Sequence, residues 1–275
     1  MINTQRLLAT LAVFTTLGLC TQLFAQDAGQ ATTLMISPEN AFAIMAGNAE
    51  KGDASAMFNL GTFYEQGIGV PRNYSKALEW YQKSADHGLA EGYYNLGVCY
   101  EIGMGDKADP QKSAENYHKS ADLGFAQGMF IMANLYGTGF GVQQSDTNSL
   151  ELLEKAAQTG HSSAMNAIGV VFTNGSLGQG QDEKKALEWF QRAADAGSLE
   201  AVKNIAVIYR NGLGVKADPF TALVWYNIAK NGGYIASDLD AIIEELKTNM
   251  KPADITKAET DSTKWLNDFR ARQAK

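Results

Sequence analysis

Few residues of this 275-residue chain have the types and spacing that chemistry requires. The three histidines, His87, His118 and His161, are separated by 31 and 43 residues, and no H-E-x-x-H pair occurs. A zinc enzyme needs clustered ligands, and a serine β-lactamase needs a lysine three residues after its nucleophile. No serine here has a lysine at that spacing. The sequence therefore predicts no catalytic residue, no metal and no cofactor, and it leans against an enzyme without excluding one.

Two further candidates have structural explanations. The stretches "GTGFGV" and "GSLGQGQDEKK" look like phosphate-binding loops, but neither follows a predicted strand or ends in G-K-S/T. Cys99, in the apolar stretch "NLGVCY", is predicted to be a buried small hydrophobe rather than a reactive thiol. We expect His87 and His161, which lie beside helix-ending glycines, to occupy ordinary exposed positions.

The glycines instead belong to an internal repeat. One loop glycine recurs every 36 or 37 residues, as Gly67, Gly103, Gly139, Gly175 and Gly212. A second follows it as Gly69, Gly105, Gly141, Gly178 and Gly214. A closing glycine recurs as Gly52, Gly88, Gly124, Gly160, Gly197 and Gly233. A fixed period of this size is typical of stacked helix pairs.

Each repeat is predicted to be two amphipathic helices. In the first repeat, Ala56, Leu60 and Tyr64 share one face of the first helix, and a second helix begins near Tyr74. On that second helix Ala77, Trp80, Tyr81 and Ser84 share one face. This face is predicted to be core, and so is its equivalent Trp189 in the fourth repeat. The predicted repeats are 53–88, 89–124, 125–160, 161–197 and 198–233, between an N-terminal capping helix at 37–52 and C-terminal capping helices at 234–275.

The N-terminus has the layout of a secretory signal peptide. Arg6 precedes the apolar run Leu7–Cys20, and "TQLFA" ends at Ala25 before a polar stretch. We predict a signal peptide at 1–25, a flexible lead-in at 26–36, and a periplasmic or secreted mature protein without membrane insertion. Lipid attachment at Cys20 is a weaker alternative, because Leu19 is larger than that signal prefers.

The charge balance narrows the class of partner. The formal net charge is −7 and the isoelectric point is about 5.1. An acidic chain without a basic block argues against nucleic acid and anionic lipid as the main partner. We expect a monomer that binds a protein or peptide.

The repeat sequence resembles a known family. The pattern A-x-x-x-L-G-x-x-Y-x-x-G-x-G-V, followed by K-A-x-x-W-[YF]-x-x-[SA]-A-x-x-G, is similar to the Sel-one-like repeat (SLR), a longer relative of the tetratricopeptide repeat. The resemblance covers about residues 38–270 and implies an all-α fold, a right-handed α/α superhelical solenoid of about five repeats plus capping helices. Repeats two and three depart from the pattern at Asn116 and Leu152.

The resemblance also implies a function. Exported bacterial proteins of this kind are mostly adaptors in cell-envelope assembly, signalling or host interaction. A cysteine-rich subgroup binds penicillin and hydrolyses it slowly, so a binder or weak hydrolase of β-lactams or peptidoglycan fragments is the alternative. The cysteines of that subgroup are missing from this sequence.

The resemblance implies that the first helices line a concave groove. One equivalent residue from each first helix is predicted to contact the partner there. These residues are Phe58, Tyr94, Phe130, Asn166 and Lys203. The predicted neighbours are the amides Asn59, Asn95, Asn134 and Asn204, with Glu101 and Arg210. Two interpretations stay open: an aromatic platform for an extended peptide, or rings that only pack between neighbouring first helices.

Overall fold

A computed structural model of the chain describes residues 22–24, 33–35, 37–104 and 107–274. In that described part the chain forms two short strands and 13 helices. They are β1 (Gln22–Phe24), β2 (Thr33–Met35), α1 (Pro38–Ala49), α2 (Ala54–Gln66), α3 (Tyr74–Asp86), α4 (Ala90–Ile102), α5 (Pro110–Asp122), α6 (Ala126–Thr138), α7 (Asp146–Gln158), α8 (Ser162–Asn174), α9 (Glu183–Asp195), α10 (Leu199–Asn211), α11 (Pro219–Gly232), α12 (Leu239–Lys247) and α13 (Pro252–Gln273).

The helices α2 to α11 form five pairs that follow the predicted repeats, and local sequence signals set their ends. The side chain of Asp53 accepts hydrogen bonds from the first backbone N–H groups of α2, and Asn73 does the same for α3. Gly67 ends α2 with a φ of 76°, a left-handed conformation that a glycine adopts without steric cost. Gly105, the second loop glycine of repeat two, lies outside the described residues.

Small residues let the two helices of a pair approach closely. A Cβ atom at Gly61 would lie 2.5 Å from the ring of Tyr81, which is fully buried. Ser84 on α3 donates a hydrogen bond of 2.9 Å to the carbonyl of Ala54 on α2. The same glycine-to-ring packing recurs at Gly97 with Tyr117 and at Gly169 with Phe190.

One predicted core residue is corrected. Trp189 is only partly buried, and the guanidinium of Arg192 lies 4.0 Å from its ring centre. The next residue, Phe190, is 3% exposed and faces Gly169 across the pair. A helix turns 100° per residue, so only one of two adjacent aromatics can point into the pair interface.

The chain divides into two compact units, residues 1–123 and 124–275. The first contains β1, β2 and α1–α5, with apolar clusters around Leu60 and around Tyr81. The second contains α6–α13, with a cluster that joins Tyr226 and Leu239. The predicted class, an all-α helical-repeat solenoid, is confirmed by these paired helices.

Three helices lie outside the five pairs. They are α1, α12 and α13, and Trp265 of α13 packs edge-on against Trp225 of α11 at 5.7 Å. The stretch 26–36, predicted as a flexible lead-in, contains β2, which pairs antiparallel with β1. The local sequences QLF and TLM favour extended backbone because threonine and aromatic residues suit strands. Most of the predicted signal peptide, including its cleavage site, lies outside the described residues.

Candidate partner-binding surface

The predicted contact residues lie on the first helix of each pair. Most of them are partly buried: Phe58, Asn59, Tyr94, Asn95, Phe130, Asn166, Lys203, Asn204 and Arg210. Two are exposed, Glu101 and Asn134. The helices α2 and α4 belong to the first unit and α6, α8 and α10 to the second, so each unit presents its own first-helix surface.

In the first unit the two aromatic rings are held by tyrosines of the second helices. Phe58 packs on Tyr81 with 5.6 Å between ring centres, and Tyr94 packs on Tyr117 at 5.5 Å. Both tyrosines are almost completely buried, whereas Phe58 and Tyr94 remain partly exposed. Each exposed ring is therefore fixed by a buried ring of its own repeat.

The same tyrosines bind the carboxylates at the end of the first helices. The hydroxyl of Tyr81 donates a hydrogen bond of 2.5 Å to Glu65, and the hydroxyl of Tyr117 donates one of 2.6 Å to Glu101. Burial and then these hydrogen bonds to carboxylates raise the pKa of both tyrosines. Each hydroxyl thus stays protonated and orients a carboxylate on the first-helix surface.

The amides of the first unit have internal partners as well. The Nδ2 atom of Asn59 lies 3.7 Å from the Sδ atom of Met45 on α1. Asn95 lies close enough to the hydroxyl of Tyr81 to lower the pKa of that hydroxyl against the larger effect of burial. The contact with Met45 orients Asn59 and occupies an atom that a peptide backbone would otherwise use.

In the second unit, Phe130 lies against a histidine rather than a tyrosine. The ring of His161 is 5.2 Å from the ring of Phe130, and its Nε2 atom is 2.8 Å from Oε1 of Gln127. The Nδ1 atom of His161 accepts a hydrogen bond of 3.2 Å from the N–H of Ala164 and caps α8. His161 is therefore neutral, with its proton on Nε2 and donated to Gln127.

The next two helices of this unit are joined by a pair of amides. Asn204 on α10 donates a hydrogen bond of 3.0 Å to Oδ1 of Asn166 on α8. Both residues were predicted to contact a partner. In the structure their side chains bond to each other and link the first helices of neighbouring repeats. Asn134, on α6, is exposed.

The basic residues lie at the last repeat of the second unit. Lys203, Arg210 and Tyr226 line a cavity of about 350 Å³ between α10, α11 and α12. The guanidinium of Arg210 donates a hydrogen bond of 2.7 Å from Nη2 to Oε2 of Glu245 on α12. Burial opposes the charge of Arg210, but its interactions with Tyr226 and Glu245 outweigh the effect of burial, so the pKa of Arg210 is raised.

Sequence reasoning missed three contributors to these surfaces: the tyrosine hydroxyls, the cap α12 and His161. The prediction that His161 is an ordinary exposed residue is wrong, because it is partly buried and caps a helix. The repeat register contained part of the signal, since Asp53 and Ser198 at equivalent positions cap their helices, whereas Leu89 and Phe125 at the same position do not cap by a side chain. The contact with α12 had no such signal, because that helix lies outside the repeat.

Other chemistry is limited in the described part of the chain. No group of three or more metal-ligating side chains is found among these residues, and none of their helices is long and apolar enough to cross a membrane. Cys99 is buried, and its thiol lies 3.5 Å from the Sδ atom of Met104. Burial and then the charge of Glu65 raise the pKa of Cys99 to about 12, so the reactive thiolate is scarce at neutral pH.

Comparison with known proteins gives relatives of the same architecture. A Sel1 repeat protein from Oxalobacter formigenes is 26% identical, with a TM-score of 0.70 over 82% of this chain and 91% of that one. A protective antigen with an SLR fold, from uropathogenic Escherichia coli strains, is 22% identical, with a TM-score of 0.53 over 86% of this chain and 59% of that one. The second likeness concerns the fold alone.

One curated relative is similar over a short stretch. The ERAD-associated E3 ubiquitin-protein ligase component HRD3A of Arabidopsis thaliana is 44% identical over 46 residues, which are 16% of this chain and 7% of that protein. The Sel1 repeat model matches residues 54–89, 90–125, 126–161, 162–198 and 199–234, well over half of the chain. The chain therefore belongs to the Sel1 repeat family, whose members commonly act as scaffolds in protein–protein interaction.

Proposed function

We propose that this protein is an exported, non-enzymatic adaptor that binds a segment of a partner protein on its first-helix surfaces. We propose that the mature protein is a monomer located in the periplasm or the medium. Its partner would belong to cell-envelope assembly, signalling or host interaction. The five Sel1 repeats support the scaffold class, and the layout of residues 1–25 supports export. Binding in a concave groove, as the family resemblance implies, is part of the proposal.

The observation that carries the proposal is the pair of supported rings in the first unit. Phe58 and Tyr94 are partly exposed, yet each is packed on a buried tyrosine at about 5.5 Å. A ring that is already fixed loses little conformational entropy when a partner covers it. Aromatic residues of this kind dominate the energy of protein interfaces.

The charges suggest what each surface prefers. In the first unit Glu65 and Glu101 lie on the same first helices as the two rings, so a segment with apolar and basic side chains would suit it. In the second unit Lys203 and Arg210 suit an acidic group. Complementary charges steer association and set orientation more than they add affinity.

The first experiment identifies the partner. A photo-cross-linking amino acid is placed at Asn95 on the first-helix surface, and in a matched protein at the exposed Gln82 on the second helix α3. We expect a discrete cross-linked product from position 95, identified by mass spectrometry, and none from position 82. Equal products from both positions would indicate non-specific contact and contradict the proposed surface.

The second experiment tests the anchor with the partner in hand. Tyr94→Ala is expected to weaken binding by about 1–2 kcal/mol, roughly 5- to 30-fold, the size of an interface hot-spot effect. Tyr93→Ala is the matched control, because Tyr93 is the adjacent residue of α4 and lies near Lys119 instead. Its affinity should stay within twofold, and the circular dichroism of both variants should match that of the wild type. Unchanged affinity for both Tyr94→Ala and Phe58→Ala would remove the site from this surface.

The alternative function, binding or slow hydrolysis of β-lactams or peptidoglycan fragments, rests on the family resemblance alone. Nitrocefin turnover by the purified protein tests it directly. Turnover that persists after repeated purification would contradict the non-enzymatic part of the proposal.

A further inference from the structure

The cavity at the last repeat is lined partly by helices of that repeat and partly by the C-terminal segment that follows it. The helices α10 and α11 contribute Lys203, Val207, Arg210 and Tyr226, whereas the segment leading into α12 contributes Tyr234 and Ala236. A second cavity of about 580 Å³ is also lined by Arg210, together with Glu245. Arg210 therefore lines both cavities, and α12 contributes residues to each of them.

The charged groups of the first cavity are Lys203, Arg210 and Asp238. Arg210 and Glu245 form an ion pair of 2.7 Å, and no ion pair of Lys203 is found among the described residues. An arginine can hold a carboxylate through two parallel hydrogen bonds. Glu245 lines the second cavity and not the first, so its carboxylate shows only that this guanidinium accepts a carboxylate, and it belongs to a side chain that is 67% exposed.

Most of the remaining cavity wall is apolar. Val207, Leu239 and Ile242 line it together with Tyr234 and Ala236, and Asn211 and Tyr226 add polar groups. Its volume of about 350 Å³ is at the lower end of the range for small-ligand sites, about 300–1,000 Å³. The space suits one carboxylate on a short aliphatic group and is too small for a folded segment.

We infer that this cavity binds the free C-terminal carboxylate of the partner chain, with an aliphatic last residue against Val207, Leu239 and Ile242. The carboxylate lies between Lys203 and Arg210 and competes for the guanidinium with Glu245, which lines the second cavity. The inference rests on the proposed function, since it names which part of the partner the second unit recognises. A small free aliphatic acid carries the same chemistry, so the experiment distinguishes the two sources.

The test uses the full exported chain with isotope-labelled methyl groups, observed by NMR. The probes are N-acetyl-Ala-Leu with a free carboxylate, the same dipeptide as its amide, and 4-methylpentanoate as the small acid. We expect the free dipeptide to shift the methyl signals of Val207, Leu239 and Ile242, and the amide to bind at least about tenfold more weakly because a charge-assisted hydrogen bond is lost. Equal binding of acid and amide, or no shifts at millimolar probe, would overturn the inference. Binding of 4-methylpentanoate as tight as that of the dipeptide would overturn the assignment to a chain end.

Variants separate ligand binding from loosening of α12. Arg210→Gln and Lys203→Gln are each expected to weaken binding of the free dipeptide at least about tenfold. Glu245→Gln should tighten binding severalfold, because it removes the competing carboxylate. Lys230→Gln is the matched control: Lys230 holds α12 through Asp240 at 2.7 Å but does not line the cavity. Equal tightening by Lys230→Gln and Glu245→Gln would show that loosening of α12 alone explains the effect, and would overturn the competition.

The outcomes also separate this inference from the proposed function. Partner binding that depends on Tyr94 but not on Arg210 or Lys203 would overturn the inference and leave the adaptor proposal standing. If the dipeptide binds in the cavity but partner binding does not depend on Tyr94 or Phe58, the first-helix site is overturned and the inference about the cavity stands.

Discussion

The cap of α8 should make the stability of the second unit depend on pH through a single histidine. His161 accepts the N–H of Ala164 on Nδ1 and donates from Nε2 to Gln127. Burial lowers the pKa of His161 below its ordinary value of about 6.5. The groups recorded around the ring are the side chains of Gln127 and Phe130 on α6 and the backbone of α8, none of which titrates.

The sign follows from the two states. Above pH 6.5 the histidine is neutral whether the chain is folded or unfolded, so its full contribution to stability is present. As the pH falls below that value the unfolded chain takes up the proton first, because the pKa in the folded state is lower. The unfolded state then binds more protons, and the free energy of unfolding decreases until the pH passes the folded-state pKa.

The geometry also sets the magnitude. A protonated Nδ1 atom cannot accept the N–H of Ala164, and loss of a capping side chain costs about 0.5–2 kcal/mol. A positive charge beside the N-terminus of α8 adds to this cost, because the helix dipole is positive there. We therefore expect the wild type to lose about 1 kcal/mol more than His161→Ser between pH 7.5 and pH 5, since serine caps α10 at the equivalent position and does not titrate.

The assay is amide hydrogen exchange at Ala164 and Met165, together with urea unfolding, at the two pH values. Carboxylates that titrate in this range contribute equally to both proteins and cancel in the comparison. The control is His118→Ser, which removes an exposed histidine of the first unit and should leave amide exchange at Ala164 and Met165 as it is in the wild type. A difference between wild type and His161→Ser that is the same at pH 5 and pH 7.5 would refute the assigned tautomer and cap.

Two further outcomes follow from the structure and one from the sequence. Phe190→Ala should lower the free energy of unfolding by about 3–5 kcal/mol and Trp189→Ala by clearly less, because only Phe190 is buried against Gly169; urea unfolding that ranks them the other way would contradict this packing. Cys99, whose pKa burial raises to about 12, should react with a thiol reagent only when the protein is unfolded by urea, and rapid labelling of native protein would count against that burial. Purified exported protein should begin near Gln26, and an intact mass that retains residues 1–25, or includes a lipid on Cys20, would refute the predicted processing.

The period of the sequence was enough to predict the repeats and their helices. Gly67 and its equivalents must end the first helices, because a left-handed residue there favours glycine. The shared face of Ala56, Leu60 and Tyr64 could be read directly, because a helix places residues four apart on one face. The class of fold and the absence of an obvious catalytic motif were therefore accessible from one chain.

The contacts of the first-helix residues could not be predicted from the repeat period. Periodicity located the equivalent residues Phe58, Tyr94 and Lys203, but it could not tell which atoms neighbouring elements would occupy. Trp189 and Phe190 are adjacent and both apolar, so only the crossing of α8 and α9 decided which one is buried.

The sequence by itself determined which residues lie on which helix face, because helix geometry converts spacing into direction. The tertiary structure decided which of these side chains bond to one another. The bonds from Tyr81 to Glu65, from Asn204 to Asn166 and from Arg210 to Glu245 join residues 16, 38 and 35 positions apart. Such pairs form only when whole helices are packed, and α12 lies beyond the repeat that made the rest of the chain predictable.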